Sequence, residues 1–233
     1  MIESNGIKYS YDERNNLIQV ITPQSVVEYT YDSSGKRISK TCDSKSEFYV
    51  YFGINELAIL DDNGFIKELR VPGLSTHKDI LRPIAIETID GIFAPIHDAC
   101  GNIIRLINIS NKEVITIDEL DPYGIGLSEN LRVSWIYSGK HYDSDADLVY
   151  FGSRFYSPQL RQWLTPDPLH QTSDPYQYCF NNPLRYSDPD GKWVIAMPLI
   201  SFAWGAGATI TAPIWAPYAI ATAAKRGNRI CRP

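Results

Sequence analysis

The stretch Tyr9–Asp12 (YSYD) returns as Tyr29–Asp32 (YTYD) and again, with its tyrosine pair, as Tyr49–Phe52 (YVYF). The spacing is 20 residues both times. Tyrosines two positions apart lie on the same face of a β-strand, whereas a helix would separate them by about 200°. The repeat therefore predicts strands with an inward row of aromatic side chains. Its positions are Tyr9, Tyr11, Asp12, Tyr29, Tyr31, Asp32, Tyr49 and Tyr51.

Turn-forming residues follow the aspartates, at 13–16 and 33–35. An aspartate accepts hydrogen bonds from the backbone ahead of it, and Gly or Asn supplies a positive φ. The β-rich runs 17–22 and 26–31 come next along the chain, so one period predicts two short strands and two turns. Stacked hairpins are expected to place tyrosine above tyrosine at the strand spacing of about 4.8 Å. The tyrosines are interpreted as packing residues.

Residues 53–90 continue in short apolar runs separated by turn sequences, without a long window of helical periodicity. The predicted fold class is therefore all-β. We expect a repeat sheet over 1–90, a compact core domain over 91–192 and a variable segment over 193–233.

Composition and charge narrow the class of function. Of 233 residues 44% are hydrophobic, which excludes a disordered protein. The last 41 residues hold four of the 22 cations and no acid, so residues 1–192 carry a net charge of −9. An acidic body argues against a nucleic-acid partner. The four cysteines are far apart with no histidine at ligand spacing, so neither a metal nor a cofactor is expected.

A second distinctive segment spans residues 142–191. It reads YDSDADLVYFGSRFYSP over 142–158, WLTPDP over 163–168, YQYCFNNP over 176–183 and DPDG over 188–191. Proline fixes φ and donates no ladder hydrogen bond, so the segment predicts short strands joined by compact turns. The aromatic residues expected to fill it are Tyr142, Tyr150, Tyr156, Trp163, Tyr176 and Tyr186.

Both patterns resemble one protein family. The tyrosine repeat over 7–52 is similar to the YD repeats of Rhs proteins, toxin-complex C components and teneurins, and 142–191 resembles their repeat-associated core. The resemblance implies an antiparallel hairpin sheet whose core caps a hollow β-shell. It also implies the partners: the remaining shell or a larger Rhs chain, and an immunity protein against a toxic payload.

The resemblance implies one reaction, in which the core acts as an intramolecular aspartyl protease. It implies cleavage either between Gly191 and Lys192 or after Lys192, with Asp143 and Asp167 as the paired carboxylates and Arg154 as the orienting cation. Asp145 is the alternative candidate for the carboxylate assigned to Asp143. Two carboxylates held close share one proton, so one acts as acid and the other activates water.

A structural interpretation of the same residues stays open. Asp167 then belongs to a turn, Asp143 caps a strand and Arg154 forms an ordinary ion pair. The sequence also departs from the family pattern, because Lys192 replaces an apolar residue and Leu160 precedes Arg161-Gln162-Trp163 where the family has glycine before Arg-Trp.

The C-terminal segment has its own composition. Residues 193–224 carry no charged side chain, and the four cations Lys225, Arg226, Arg229 and Arg232 follow. This length suffices for one membrane span, so we expect a helical tail that associates with a membrane through 193–224. The alternatives are a plug inside the repeat module and the remnant of a larger effector.

Two functions follow from these patterns. The first is the C-terminal part of an Rhs-type toxin protein, either one piece of a larger gene product or a truncated paralogue. The second is a membrane-anchored, non-enzymatic surface protein. The N-terminus MIESNGIKYS lacks the basic and apolar regions of a signal peptide, so we expect non-classical export or membrane association.

Overall fold

The architecture is all-β, as the sequence predicts. The computed structural model describes residues 2–4, 6–73, 82–117, 120–127 and 132–196. Strands and two single 3₁₀ turns are the regular elements of these ranges. The predicted tail helix lies outside the described residues except for 193–196. The described residues contain no helix that could span a membrane.

One large sheet contains twelve strands, and each pairs antiparallel with the next along the chain. Its strands Pro83–Thr88 and Gly91–His97 pair across a turn at 89–90, so the sheet extends beyond residue 90. The strands are β1 (Ile2–Ser4), β2 (Ile7–Tyr11), β3 (Leu17–Ile21), β4 (Val26–Tyr31), β5 (Arg37–Cys42), β6 (Lys45–Phe52), β7 (Asn55–Leu60), β8 (Ile66–Pro72), β9 (Pro83–Thr88), β10 (Gly91–His97), β11 (Ile103–Asn108) and β12 (Val114–Thr116).

The 20-residue repeat corresponds to two strands, so the tyrosine pairs recur on β2, β4 and β6. Tyr9 is opposite Val20 of β3, and Tyr29 is opposite Lys40 of β5. The expected stacking of tyrosine on tyrosine at one strand spacing is therefore wrong. A whole strand intervenes, so equivalent tyrosines lie two spacings apart, about 10 Å.

The second tyrosine of each pair ties its hairpin to a neighbouring element. The hydroxyl of Tyr31 donates to the carbonyl of Leu17 at 2.5 Å, and that of Tyr51 donates to the carbonyl of Arg37 at 2.7 Å. In the first pair, Tyr11 donates instead to the carbonyl of Leu164 at 3.1 Å. The same side chain thus bonds successive strands to each other and the first hairpin to the core module.

Recurrent turns join these strands, and we call each an Asp turn. The carboxylate accepts hydrogen bonds from the backbone N–H groups two and four residues ahead, and the residue three ahead has a positive φ. At Asp32, Ser34 and Lys36 donate at 2.8 and 3.0 Å, and Gly35 has a φ of +81°. The same arrangement occurs at Asp12, Asp61 and Asp121.

A smaller module follows the sheet and packs on the face that carries Tyr9 and Tyr29, which we call the inner face. Its β-elements are the four-stranded sheet β13 (His141–Asp143), β14 (Leu148–Tyr150), β15 (Phe155–Ser157) and β16 (Gln162–Trp163), and the pair β17 (Tyr186–Ser187) and β18 (Ile195–Ala196). The 3₁₀ turns are Tyr137–Gly139 and Cys179–Asn181. Leu148 and Phe155 pack with Tyr9 and Tyr29 of the large sheet.

Aromatic rings fill the interior of this module. Trp163 and Tyr156 are buried with their ring centroids 5.7 Å apart, and Tyr142 and Tyr150 are also buried. Tyr186 is half-buried. Tyr176 was expected to fill the interior, and this expectation is wrong because the ring is 39% exposed. Tyr178 takes the interior position, with its ring centroid 4.1 Å from that of Tyr156.

A buried polar cluster joins the large sheet to the module. Glu56 on β7 accepts from the Nη2 of Arg37 at 3.0 Å and from the Nε1 of Trp135 at 3.0 Å. Its Oε1 lies 2.5 Å from the Nδ1 of His141. Arg37 is fully buried, 3.9 Å from the ring centroid of Tyr49. Ionic and cation–π contacts therefore supplement apolar packing at this interface.

Candidate active site

The DPDG sequence at 188–191 folds as another Asp turn. The Oδ1 of Asp188 accepts from the backbone N–H groups of Gly191 at 2.8 Å and Lys192 at 3.1 Å, and Asp190 donates at 3.3 Å. Gly191 has a φ of +76°. The predicted cleavage position thus uses the geometry of the hairpin turns, and the aspartate carboxylate lies against the Gly191–Lys192 peptide.

Gly191 also faces a tight surface. A Cβ at this position would lie 3.1 Å from the backbone nitrogen of Arg154 and 3.2 Å from the Cβ of Phe151. A side chain here would therefore meet both left-handed strain and a steric conflict. The close approach brings the Gly191 carbonyl to the guanidinium group of Arg154.

Arg154 lies in the connection between β14 and β15 and is 5% exposed. Its Nε donates to the carbonyl oxygen of Gly191 at 2.5 Å. Its Nη2 lies 3.4 Å from Asp188, and its Nη1 lies 3.9 Å from Asp167. The guanidinium stacks on Trp163, 4.1 Å from the ring centroid. One planar cation therefore contacts two carboxylates and one peptide carbonyl.

Asp167 begins a similar turn beneath this cation. Its carboxylate accepts from the backbone N–H of Leu169 at 3.0 Å and of Gln171 at 2.8 Å, and His170 has a φ of +50°. The side chain is buried. Backbone hydrogen bonds thus fix the carboxylates of both turn aspartates, Asp167 and Asp188. Each carboxylate also lies beside the guanidinium group of Arg154.

The surroundings of Asp188 shift its pKa. Burial raises this pKa to about 6, opposed by the charge of Arg154 and assisted by Asp190. A carboxyl group with that pKa holds a proton at mildly acidic pH and can act as a general acid. Burial also lowers the pKa of Arg154, against the pull of Asp188 and Asp167. The site therefore combines an acid, a second carboxylate and a cation on a peptide carbonyl.

Lys140 supports the turn from the other side. Its Nζ donates to the carbonyl oxygen of Pro189 at 2.5 Å. Burial lowers the pKa of Lys140 to about 8, and the neighbouring charge of Arg70 acts in the same direction. Asp188 and Asp190 oppose this shift, which puts the ammonium group within the electrostatic field of the site.

Asp143 lies in a different cluster. It is fully buried on β13, where its carboxylate accepts from the Tyr29 hydroxyl at 2.7 Å and from the Lys40 Nζ at 2.6 Å. Burial would raise the pKa of Asp143, but Lys40 and Arg37 outweigh burial and lower it. Asp145 shares Lys40 at 2.6 Å. These contacts bind the module to β4 and β5, whereas Arg154, Asp167 and Gly191 meet elsewhere.

Asp188 is the residue that sequence reasoning did not single out. The signal was present, because Asp188-Pro-Asp-Gly191 repeats the Asp-x-x-Gly spacing of Asp32-Ser-Ser-Gly35. The replacement at Lys192 is also explained, since this side chain is exposed and its charge needs no apolar pocket. In the part of the chain that the structure describes, no cluster of His, Cys, Asp and Glu is arranged to hold a metal.

Comparisons with known proteins agree with these patterns, although no family model matches the chain. Salivary gland surface protein 1 of Aedes aegypti is 25% identical over 219 residues, which cover 83% of this chain and 6% of that protein. The tRNA nuclease WapA of Bacillus subtilis is 29% identical over 80% of this chain and 8% of its own length. Toxin subunit YenC2 of Yersinia entomophaga is 39% identical over 88 residues, 34% of this chain and 9% of that subunit. The chain thus spans less than a tenth of these relatives.

Solved structures share the fold. The crystal structure of TcdB2-TccC3-Cdc42 matches with a TM-score of 0.57 at 20% identity, over 80% of this chain and 10% of that one. The Tc holotoxin pore of Photorhabdus luminescens matches with a TM-score of 0.56 at 21% identity, over 86% and 10%. Together with the tyrosine repeat and the 142–191 segment, these relatives fit an Rhs/YD-repeat toxin-related protein.

Proposed function

We propose that this chain is the C-terminal part of an Rhs-type toxin protein whose core module cleaves its own backbone beside Gly191. One observation carries the proposal. Arg154 lies between two buried carboxylates and donates to the Gly191 carbonyl at 2.5 Å. A cation on a carbonyl oxygen stabilises the negative charge that develops there when water attacks the carbon.

The residues divide the reaction between them. Asp167 takes a proton from water as its oxygen attacks the Gly191 carbonyl carbon, and Arg154 holds the resulting oxyanion. Protonated Asp188, whose Oδ1 is 3.1 Å from the Lys192 nitrogen, gives its proton to that nitrogen as the C–N bond breaks. The products are a carboxylate at Gly191 and an amine at Lys192. We assign the acid to Asp188 in place of Asp143, because Lys40 and Tyr29 hold Asp143.

The neighbouring peptide after Lys192 is the second candidate for the cut. Its carbonyl accepts from the Nε2 of Gln171 at 2.5 Å, a neutral donor. The charged donor at Gly191 favours the Gly191–Lys192 bond, because a charged hydrogen bond is about twice as strong as a neutral one. The mass of the C-terminal product distinguishes residues 192–233 from 193–233.

Intact mass spectrometry of the purified full chain tests the proposal. We expect two products from the parent chain and one full-length species from Asp167→Asn and from Asp188→Asn. Asp174→Asn is the matched control, since Asp174 is an exposed turn aspartate of the same loop, and it should cleave like the parent. A parent chain that stays intact contradicts the proposal.

We propose further that the module caps a β-shell completed by additional YD repeats. The packing of β13–β16 on the inner face of β2–β4 supports this role. The released segment would be the payload, exported by a non-classical route and neutralised in the producing cell by an immunity protein. Co-purification of this chain with a separately expressed YD-repeat shell tests the capping role, and a chain that elutes alone contradicts it.

A membrane-anchored surface protein is the second candidate. It is favoured by the uncharged stretch 193–224 with its four following cations, and by the surface protein among the relatives. In this case the chain stays uncleaved and the tail anchors it. Flotation of the full chain with anionic vesicles, compared with a chain ending at residue 192, should show tail-dependent binding, and equal recovery in the aqueous fraction contradicts it.

A further inference from the structure

The segment just beyond Gly191 is held by one side chain. The Nε2 of Gln171 donates to the carbonyl of Lys192 at 2.5 Å, and its Oε1 accepts from the backbone N–H of Val194 at 3.2 Å. The two bonds join a carbonyl and an amide two residues apart, as a neighbouring β-strand would. Gln171 therefore imitates a strand partner for residues 192–194.

Both bonds reach backbone atoms only. The side chains of Lys192 and Trp193 are exposed, and Trp193 is 57% exposed. We call these two hydrogen bonds of Gln171 the clamp. Just beyond it, Ile195 pairs with Ser187, where β18 pairs with β17. The backbone on the C-terminal side of Gly191 is thus held first by Gln171 and then by the strand pair. These contacts are made to backbone atoms of the segment and do not depend on its side chains.

The same glutamine is connected to the carboxylate pair. Its backbone N–H donates to the Oδ2 of Asp167 at 2.8 Å. The Asp167 turn therefore sets the position of both the Asp167 carboxylate and the clamp on residues 192–194. A shift of one displaces the other, which links the carboxylate to the peptide that it faces.

We propose that Gln171 is the positioning residue of the self-cleavage reaction, holding residues 192–194 so that the Gly191 carbonyl stays against Arg154 and the Lys192 backbone N–H stays against Asp188. This role rests on the proposed self-cleavage. Backbone-only recognition explains how a lysine at 192 stands where the family has an apolar residue. The clamp is a feature of the Asp167 turn that the motif pattern does not require.

The cleavage test follows the full chain in a pulse–chase of cell-free synthesis. Loss of two hydrogen bonds predicts that Gln171→Ala cleaves roughly tenfold or more slowly than the parent. Gln171→Glu should be equally slow at pH 7, where a carboxylate cannot donate to the Lys192 carbonyl. Relative to the parent, it should recover near pH 4, where the protonated acid donates. Gln177→Ala and Gln177→Glu, on the same loop, are the controls.

A pH-dependent recovery separates positioning from general stability, because a merely structural loss would not reverse on protonation. Cleavage of Gln171→Ala within twofold of the parent overturns the proposal, as does a Gln171→Glu chain with no recovery at low pH.

A second measurement does not depend on cleavage. In the Asp188→Asn chain, which is expected to stay uncleaved and which keeps the Asp167 turn, hydrogen exchange of the Val194 amide should be slow, and adding Gln171→Ala should speed it at least tenfold. Equal exchange in the two chains overturns the clamp. If the parent chain never cleaves, self-cleavage fails while the exchange result still decides whether Gln171 holds the segment.

Discussion

The Nε of Arg154 lies 2.5 Å from the carbonyl oxygen of Gly191. The backbone nitrogen of the same arginine is so close that a Cβ at Gly191 would lie 3.1 Å from it. A turn that elsewhere only reverses the chain here presents a peptide bond to a buried cation. The guanidinium fork contacts Asp188 and Asp167 as well, so the geometry depends on a planar group with several donors.

Replacing Arg154 with lysine should therefore stop cleavage. Lysine keeps the charge but offers one compact ammonium group, which cannot meet the carbonyl and both carboxylates together. We expect Arg154→Lys to cleave at least about 100-fold more slowly than the parent, by intact mass over time. Arg161→Lys is the control, because Arg161 forms an exposed ion pair with Asp121. Equal rates for parent and Arg154→Lys would contradict the assignment.

Asp188 should make stability depend on pH in a direction opposite to most carboxylates. Its folded pKa of about 6 exceeds the ordinary value of 3.8, so the folded chain binds more protons than the unfolded chain between these values. This contribution to the free energy of unfolding is complete below about pH 4 and is lost as the pH rises through 6.

The measurement is urea unfolding of the uncleaved Asp167→Asn chain at pH 4.5 and 7, with and without Asp188→Asn. The chain that retains Asp188 should lose stability relative to the double variant as the pH rises. A relative gain over the same range would show that Asp188 is ionised in the fold. The cleavage rate of the parent should also fall above pH 6, because the acid has lost its proton.

Glu56 should be a large contributor to stability. It meets Arg37, Trp135 and His141 inside the molecule, and Glu56→Gln leaves the buried Arg37 charge without its counter-ion. Breaking such a pair costs about 3–5 kcal/mol, measured by urea unfolding of the uncleaved Asp167→Asn chain. Glu113→Gln, at an exposed position, should change stability by less than about 0.5 kcal/mol. Similar effects of the two substitutions would show that the cluster is not energetically important.

The Glu56 carboxylate should also make the free energy of unfolding fall at acid pH. Burial would raise the pKa of Glu56, but His141 and Arg37 lower it to about 2. Its stabilising contribution is therefore present above the ordinary value near 4.5 and is lost as the pH falls toward 2. Far-ultraviolet circular dichroism should show acid unfolding of the Asp167→Asn chain that becomes shallower in Glu56→Gln. Equal acid transitions would contradict this origin.

The Asp turns give a test of local strain. Gly35 has a φ of +81°, and a Cβ there would lie 3.7 Å from the Asn16 Oδ1, an ordinary van der Waals contact. The cost of Gly35→Ala is therefore conformational, about 1 kcal/mol. Asn15 holds the equivalent position with a φ of +62°, so Asn15→Gly should not destabilise the chain. Urea midpoints measure both, and a stabilising Gly35→Ala would contradict the turn assignment.

Local sequence patterns predicted the sheet because its contacts are local. Each hairpin is set by a tyrosine pair and an Asp turn a few residues away, as at Tyr29 and Asp32. The spacing of the tyrosines across the sheet was wrong, since two strands per period place Tyr9 and Tyr29 on alternate strands. The predicted element type, a β-strand, was right. The error lay in placing equivalent tyrosines on neighbouring strands.

The site required contacts that no local pattern contains. Arg154, Asp167 and Gly191 were named by their motifs, and the fold brings them together. Asp143 was paired with Asp167 by motif order alone, but Lys40, about 100 residues earlier in the chain, holds it instead. Gln171 carried no sequence signal, because its partners are backbone atoms at 192 and 194.

The large sheet has a consequence for the order of assembly. Each of its strands from β1 to β11 pairs with the next strand along the chain, so hairpins can close one after another as the chain is synthesised. The candidate site around Gly191 needs residues as late as Val194, together with a module already packed on the early hairpins. Under the proposed self-cleavage, scission would be reserved for chains whose upstream architecture is finished, and the appearance of a cut product would serve as a readout of complete folding.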